Sequence, residues 1–170
     1  MNDNVSADDP HPAHPHPAHP HPVDLHPGRR RWMAVLARAD ASRLELLLRD
    51  HGARPAYAVL RGPEGGLVMV RGKAGGGGAS FNLGEMTITR CTVRTETGFI
   101  GHAYVAGRDE KRAELAALTD ALMQDPDRTV EIERDIIAPL EWEQNARATR
   151  RAEKAAATRV QFFAMQTMRT

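Results

Sequence analysis

Two stretches before residue 52 space their apolar positions as helices do. In residues 29–39 (RRRWMAVLARA), Trp32, Val35, Leu36 and Ala39 fall on one helical face. Ser42 with Glu45 three residues later forms a capping-box pattern, and Leu44, Leu47 and Leu48 follow on one face. The second helix is expected over about 42–51, ending at Gly52 with Pro55 just beyond. The pair reads as a helical hairpin.

The period then changes. Residues 57–61 (YAVLR) and 67–71 (LVMVR) read as short strands, with Gly62-Pro63-Glu64-Gly65-Gly66 between them as a hairpin loop. Residues 86–95 (MTITRCTVRT) are rich in β-branched side chains, Thr97-Gly98 marks a turn, and residues 99–106 (FIGHAYVA) run back. Short connections favour antiparallel pairing, because parallel strands need long crossovers.

Helical spacing returns afterwards. Asp109 is the expected N-cap of a helix carrying Leu115, Leu118 and Leu122, which should close near Asp125-Pro126. Residues 130–137 fit a helix or a strand, and helix is favoured. Pro139 suits a first helical turn, with Glu141 and Glu143 well placed for the helix dipole. That last helix reaches about residue 159 on a face of Ala146, Ala148, Ala152, Ala155 and Ala156, with Trp142 its one large anchor. So thin a stripe suits contact with another chain or partial exposure. Residues 160–165 (VQFFAM) read as a last short strand or a docking segment. The expected class is α+β: a small antiparallel sheet of about four strands flanked by helices, in one domain over 29–170.

Composition separates residues 1–28 from that domain. They hold six of the eight His, seven of the eleven Pro and no Lys or Arg, and HPAHP is repeated at 11–15 and 16–20. Proline at every second or third position excludes helix and central strand, so a disordered or polyproline-like tail is expected. His11, His14, His16, His19, His21 and His26 form a speculative metal-binding set beside the plainer reading of a dispensable extension. The tail also hides charge. The whole chain is +1, but residues 29–170 carry 23 Lys and Arg against 18 Asp and Glu, a surplus of five.

Several classes are excluded or disfavoured. One cysteine, Cys91, cannot form an intrachain disulfide framework or a multi-Cys metal site. No apolar run approaches the roughly 18–20 residues that span a bilayer, and no basic-then-apolar leader opens the chain, so a cytoplasmic protein off the membrane is expected. Arg29, Arg30 and Arg31 with Arg147, Arg150, Arg151, Lys154 and Arg159 form a candidate nucleic-acid patch. Interleaved acids and only eight aromatics make that the weaker reading.

Candidate chemistry is sparse. Arg71, Lys73 and the amides around Gly75 and Gly76 suit an anion, although the Lys precedes the glycines and a strand follows, unlike a P-loop. The plainer reading is a flexible hinge. Glu85 and Arg90 suit an ion pair or an anion site, with a solvated strand face as alternative. His102 is a candidate general base only with a partner in reach, and otherwise packs on the sheet. Cys91 reads as a small buried apolar side chain. Without a complete catalytic constellation, the residues point to a binding or assembly subunit.

Six strings taken in order carry a further signal: RRRWMAVLARA (29–39), RGPEGGLVMVRGKAGG (61–76), FNLGEMTITRCTVRTETGFIGHAYVAGRD (81–109), AELAALTDALMQ (113–124), IAPL (137–140) and AATRVQFF (156–163). Together they closely resemble the PhnG family, a subunit of the carbon–phosphorus lyase system of bacterial phosphonate breakdown, over nearly all of 29–165. The tail lies outside the resemblance. After Phe162-Phe163 the chain ends AMQTMRT where the family usually has a Thr-Met-Val-Arg-Gly-like ending. Gly77 stands where the family's glycine loop often has Thr or a similar residue.

The resemblance implies an accessory subunit of a core complex with PhnH, PhnI and PhnJ, two copies of each. With PhnI, PhnH and PhnL such a subunit supports displacement of adenine from MgATP by methylphosphonate, giving α-D-ribose 1-methylphosphonate 5-triphosphate. PhnI is the main catalyst implied, and PhnJ carries the later radical iron–sulfur chemistry. The resemblance implies no cofactor on this subunit, MgATP as substrate of the complex, and a sheet and Ala-faced helix buried against PhnI. Arg71, Arg90 and the glycine loop would border a triphosphate path. Direct contribution of residues to the transfer, with Glu85, Arg90 and His102 as candidates, is the alternative.

Overall fold

The computed structural model describes residues 27–52, 55–73 and 79–158. Residues 1–26 of the expected tail, Gly75 and Gly76, and residues 159–170 lie outside them, whereas Pro27 and Gly28, expected in the tail, begin the first helix. Five helices and three strands follow in the order α1 (Pro27–Arg38), α2 (Ala41–Asp50), β1 (Tyr57–Lys73), β2 (Ser80–Thr95), β3 (Ile100–Ala106), α3 (Glu110–Leu122), α4 (Thr129–Ile132) and α5 (Ala138–Ala157). A π-helical segment, Glu133–Ile137, joins α4 to α5, so residues 130–137 are helical as favoured. The sheet is antiparallel in the order β1-β2-β3.

Three strands replace the expected four. Gly62-Pro63-Glu64-Gly65-Gly66 is not a hairpin loop: β1 runs straight through it for 17 residues. β1 is an edge strand, where a proline's missing N–H costs no ladder bond. The register shifts between Arg61, paired with Thr92, and Glu64, paired with Arg90, so the Gly-Pro step forms an irregularity instead of a turn. The capping box is also displaced. Asp40 caps α2, its carboxylate accepting from the Arg43 backbone N–H at 3.1 Å, while Glu45 reaches across to Lys111 Nζ at 2.6 Å. Other signals hold. Gly52 closes the α2 end with φ +71°, Gly98 turns the β2–β3 connection with φ +93°, and Asp109 caps α3 through the Arg112 N–H at 2.9 Å.

α3 is the centre of the molecule. Beyond its exposed first turn, Ala113, Leu115, Ala116, Ala117, Leu118, Ala121 and Leu122 are buried around the helix, the pattern of a core helix. One side packs on Cys91 and Val93 of β2 and Ala103 and Val105 of β3. The other sides meet Val35 and Leu36 of α1, Leu44 and Leu48 of α2, and Ile132, Ile136, Ile137 and Leu140 from the C-terminal helices. Each such buried Leu or Ile contributes about 1.5–3 kcal/mol. Trp142, expected to anchor α5, instead points to solvent at 72% exposure; Leu140 is the buried residue of that helix.

Two contacts fix α3 against β3. A Cβ on Gly101 would lie 1.9 Å from the Ala117 carbonyl oxygen and 2.5 Å from the Ala121 nitrogen, so only glycine lets helix and strand approach this closely. Beside it, the fully buried Asp120 carboxylate accepts from Arg29 Nη2 at 2.7 Å, Arg29 Nε at 3.2 Å, Trp32 Nε1 at 2.8 Å and the His102 backbone N–H at 2.9 Å. Gln124 Nε2 donates to the Ile100 carbonyl at 2.7 Å. Asp120 of α3 and Gln124 just beyond that helix thus satisfy main-chain groups of β3, and Asp120 joins the strand to α1.

Gly101→Ala should destabilise the fold by about 3 kcal/mol or more through overpacking, measured as a lower urea midpoint. An unchanged midpoint would mean that α3 and β3 separate without cost. Asp120→Ala should cost about 3–5 kcal/mol, because Arg29 is left with a half-buried charge and no acceptor.

A more exposed ion-pair group gives a pH prediction. Arg31 donates to Glu133 at 2.7 Å and to Glu141 at 2.6 and 3.1 Å, tying α1 to the π-helical segment and α5. The hydrogen bond from Arg31 holds the Glu141 carboxyl below its ordinary value of 4.5. A depressed folded pKa stabilises above the unfolded pKa, and the gain is lost as pH falls through the folded value. Arg31→Met should therefore lower Tm near neutrality and reduce the extra fall in Tm below pH 4.5. Parallel Tm–pH curves for wild type and variant would refute the assignment.

Candidate functional site

α3 covers one face of the sheet and leaves the other open. Strand alternation sends Cys91, Val93, Ala103 and Val105 inward and Arg90, Thr92, His102 and Tyr104 outward. His102 lies opposite Thr92, and Arg90 opposite Tyr104, so His102 and Arg90 share this outer face. The His102 ring is exposed, with Nδ1 3.1 Å from Thr92 Oγ1 and no carboxylate in hydrogen-bond reach among the described residues. With Met33, Ala34, Ala37 and Tyr104 it borders a shallow cavity of about 210 Å³.

Arg90 is already engaged. Its Nε donates to Glu64 Oε1 at 2.6 Å, and Arg61 also pairs with Glu64. Partial desolvation pushes the Glu64 carboxyl up, but the hydrogen bonds from Arg90 and Arg61 outweigh it and hold the group below its ordinary value. Two guanidiniums thus share one carboxylate. The sequence pattern does not show this partner, because Glu64 sits in a segment that reads as a turn.

The other candidates lie elsewhere. Glu85, opposite Met69, is five residues from Arg90 and therefore on the opposite face of β2, about 16 Å along the strand. The candidate Glu85–Arg90 pair does not form, and Glu85 is exposed on the strand, as in the alternative reading of a solvated face. Arg71 and Lys73 lie opposite Asn82 and Ser80, both exposed and both on the Glu85 face. Glu64, which holds Arg90, is seven residues before Arg71 on β1, about 23 Å away along the strand. The structure therefore brings together His102 and Arg90, keeps Arg71 beside Lys73, and separates the two sets. Cys91 is buried, its thiol pushed up to about 11 by desolvation and then by the Glu114 charge, so it is a packing residue.

The part of β1 and β2 beyond the α3-covered sheet is a two-stranded ribbon. Val68, Val70, Phe81, Leu83 and Met86 lie on one face of it, 36–61% exposed, with Leu83 folded over Gly72 at a register shift. Leu67 and Met69 are exposed on the other face. This ribbon had a signal in the sequence, the alternation on both sides of the glycine run, but its lack of cover had none.

Among the described residues no group of three or more His, Cys, Asp and Glu is placed to hold a metal, and no helix is long and apolar enough to cross a membrane. The tail histidines lie outside the described residues.

Comparison with known proteins adds the family. Residues 27–168 match the family described as phosphonate metabolism protein PhnG. A Rhizobium meliloti (strain 1021) protein named alpha-D-ribose 1-methylphosphonate 5-triphosphate synthase subunit PhnG is 48% identical over 140 residues, covering 81% of this chain and 87% of that protein. The six ordered strings, the matched span and this identity all fall on the domain built around α3: the chain belongs to the PhnG family.

Proposed function

We propose that the chain is an accessory subunit, not catalytic alone, of α-D-ribose 1-methylphosphonate 5-triphosphate synthase in the carbon–phosphorus lyase system. In this reading it works in the cytoplasm with PhnH, PhnI, PhnJ and PhnL, the core subunits present in two copies each. It carries no cofactor of its own, and MgATP is the substrate of the complex. The observation that carries the reading is the ribbon, which no described residue covers. A two-stranded ribbon is marginal in water by itself, and a contiguous exposed apolar patch marks a protein interface. Here that patch continues into an uncovered sheet face beside an open edge strand.

A second reading, direct contribution to adenine displacement, is favoured by one observation: His102 and Arg90 share the open face. Nucleic-acid binding is not favoured. Arg29 is held by Asp120 and Arg31 by Glu133 and Glu141, so the N-terminal half of the candidate basic patch is neutralised.

Co-expression with the presumed partners tests the proposal. Val70→Lys with Met86→Glu should lower recovery of a stoichiometric complex about tenfold or more, as loss of interface anchors does, with unchanged circular dichroism of the isolated chain. Full recovery would refute the ribbon's role. Singly substituted Arg71, Glu85, Arg90 and His102 variants should retain adenine release in the assembled complex. Lost turnover with intact assembly would replace this reading with the catalytic one.

A further inference from the structure

A cleft remote from the ribbon gathers cations from three helices. It has a volume of about 750 Å³, within the range of small-molecule sites. Arg38 enters from α1, Arg112 from α3, and Arg147, Arg150, Arg151 and Lys154 from α5; among the described residues no carboxylate lines it. Small residues, Ala37, Ala106 and Ala148, also line it. Of the alanines that read as a thin packing stripe on α5, Ala146 is half-buried and Ala148, Ala152, Ala155 and Ala156 are exposed, Ala148 beside the cleft.

These charges are poorly compensated. Arg147 pairs with Glu143 at 3.3 Å, and Arg112 lies 3.7 Å from Asp109. Arg38, Arg150, Arg151 and Lys154 make no ion pair among the described residues, Arg38 donating only to the neutral Gln144 amide at 3.2 Å. Arg147, Arg151 and Lys154 follow at helical spacing over about 10 Å of α5, where like charges repel. Arg112 Nη2 donates to the Ala106 carbonyl, and its buried Nε is the atom that faces Asp109. A concave site in which Arg150, Arg151 and Lys154 make no ion pair among the described residues, and Arg38, Arg112 and Arg147 are only partly paired, suits an anion.

We propose that this cleft binds an oligophosphate, either free or as the phosphate chain of a nucleotide. Orthophosphate carries only about 1.5–2 charges near neutrality, too few for this set, whereas a chain of phosphates bridges cations arriving from separate helices. Among the described residues no aromatic side chain lines the cleft to stack a base, so recognition rests on the phosphates. Guanidiniums at several angles suit bidentate contacts, and a concave site differs from the extended groove that tracks a nucleic-acid backbone. The inference goes beyond the synthase reading and does not depend on it, because the cleft's chemistry is the same whichever assembly the chain serves.

Calorimetric titration of the full-length chain tests it, with tripolyphosphate, ATP, adenosine and orthophosphate at matched ionic strength. Tripolyphosphate and ATP should bind within about threefold of each other, adenosine should not bind, and orthophosphate should bind at least about tenfold more weakly. Arg151→Ala with Lys154→Ala lies on an exposed helix and should keep the circular dichroism spectrum while weakening tripolyphosphate at least about tenfold. Arg71→Ala with Lys73→Ala on the ribbon should leave it unchanged. Undiminished binding by the Arg151/Lys154 variant, or no preference for tripolyphosphate over orthophosphate, would overturn the proposal. So would tighter binding of a single-stranded oligonucleotide, or loss of partner recovery in that variant, which would make the cleft a protein interface. Failure of phosphate binding with normal complex recovery would remove this site alone; failure of recovery in the ribbon variants bears on the assembly reading alone.

Discussion

The fold depends on one buried carboxylate. Asp120 is fully inaccessible, on a helix otherwise surrounded by apolar side chains, where an unpaired charge would be prohibitive. It is tolerable because four N–H groups point at it: two from Arg29, one from Trp32 and one from the main chain of His102. These donors belong to α1 and β3, so neutralising the charge and assembling the domain are the same event. A charge-assisted network of this kind specifies one arrangement, because every alternative leaves a buried donor or the acid itself unsatisfied. Gly101 makes the arrangement possible by letting the α3 backbone approach the strand.

The same contact divides the sheet into a closed side and an open one. The free edge of β3 has its His102 N–H and Ile100 carbonyl satisfied by Asp120 and Gln124, which blunts it as a template for further strands. Among the described residues no corresponding side-chain cover lies along the ribbon part of β1. Its apolar face is as exposed as the β3 edge is sealed. Exposed edge and exposed apolar surface coincide at one end of the molecule, and the cationic cleft lies apart from them among α1, α3 and α5. The chain thus separates an apolar surface suited to protein from a charged surface suited to small anions.

Much of this was legible in the residues, and the failures share a cause. The helices, β2, β3, the Asp109 cap and the buried state of Cys91 follow from local spacing, and local spacing is what a sequence displays. Gly62-Pro63-Glu64-Gly65-Gly66 misled because turn chemistry at an edge strand also accommodates a bulge, and only the pairing of Glu64 with Arg90 distinguishes the two. Ser42 and Glu45 matched a capping box, yet Asp40 took the cap and Lys111, 66 residues later, took Glu45. Asp120 could not be found at all from pattern. It follows a run of apolar residues and precedes another, and its partners lie 18 to 91 residues away. The candidate site failed in the same way: Glu85 and Arg90 are neighbours in sequence but occupy opposite faces of a strand.

Arginine position decides what the body's surplus of five positive charges means. Arg29, Arg31, Arg43 and Arg90 are each held by a carboxylate from a different element, and they act as ties between elements more than as surface charge. On α5 the pattern reverses. Beyond Asn145 the helix leaves the core, its described residues from Arg147 onward are exposed, and Arg150, Arg151 and Lys154 acquire no acid. A helix stabilised only by itself gains from i, i+4 ion pairs and loses from like charges. The exposed half of α5 has Ala propensity in its favour and cation repulsion against it. Uncompensated charge is thus concentrated where the scaffold needs it least and where it faces Arg38 and Arg112 across a cleft also lined by alanine. That arrangement is costly for the isolated chain and becomes stabilising once an anion with several negative charges lies between the helices.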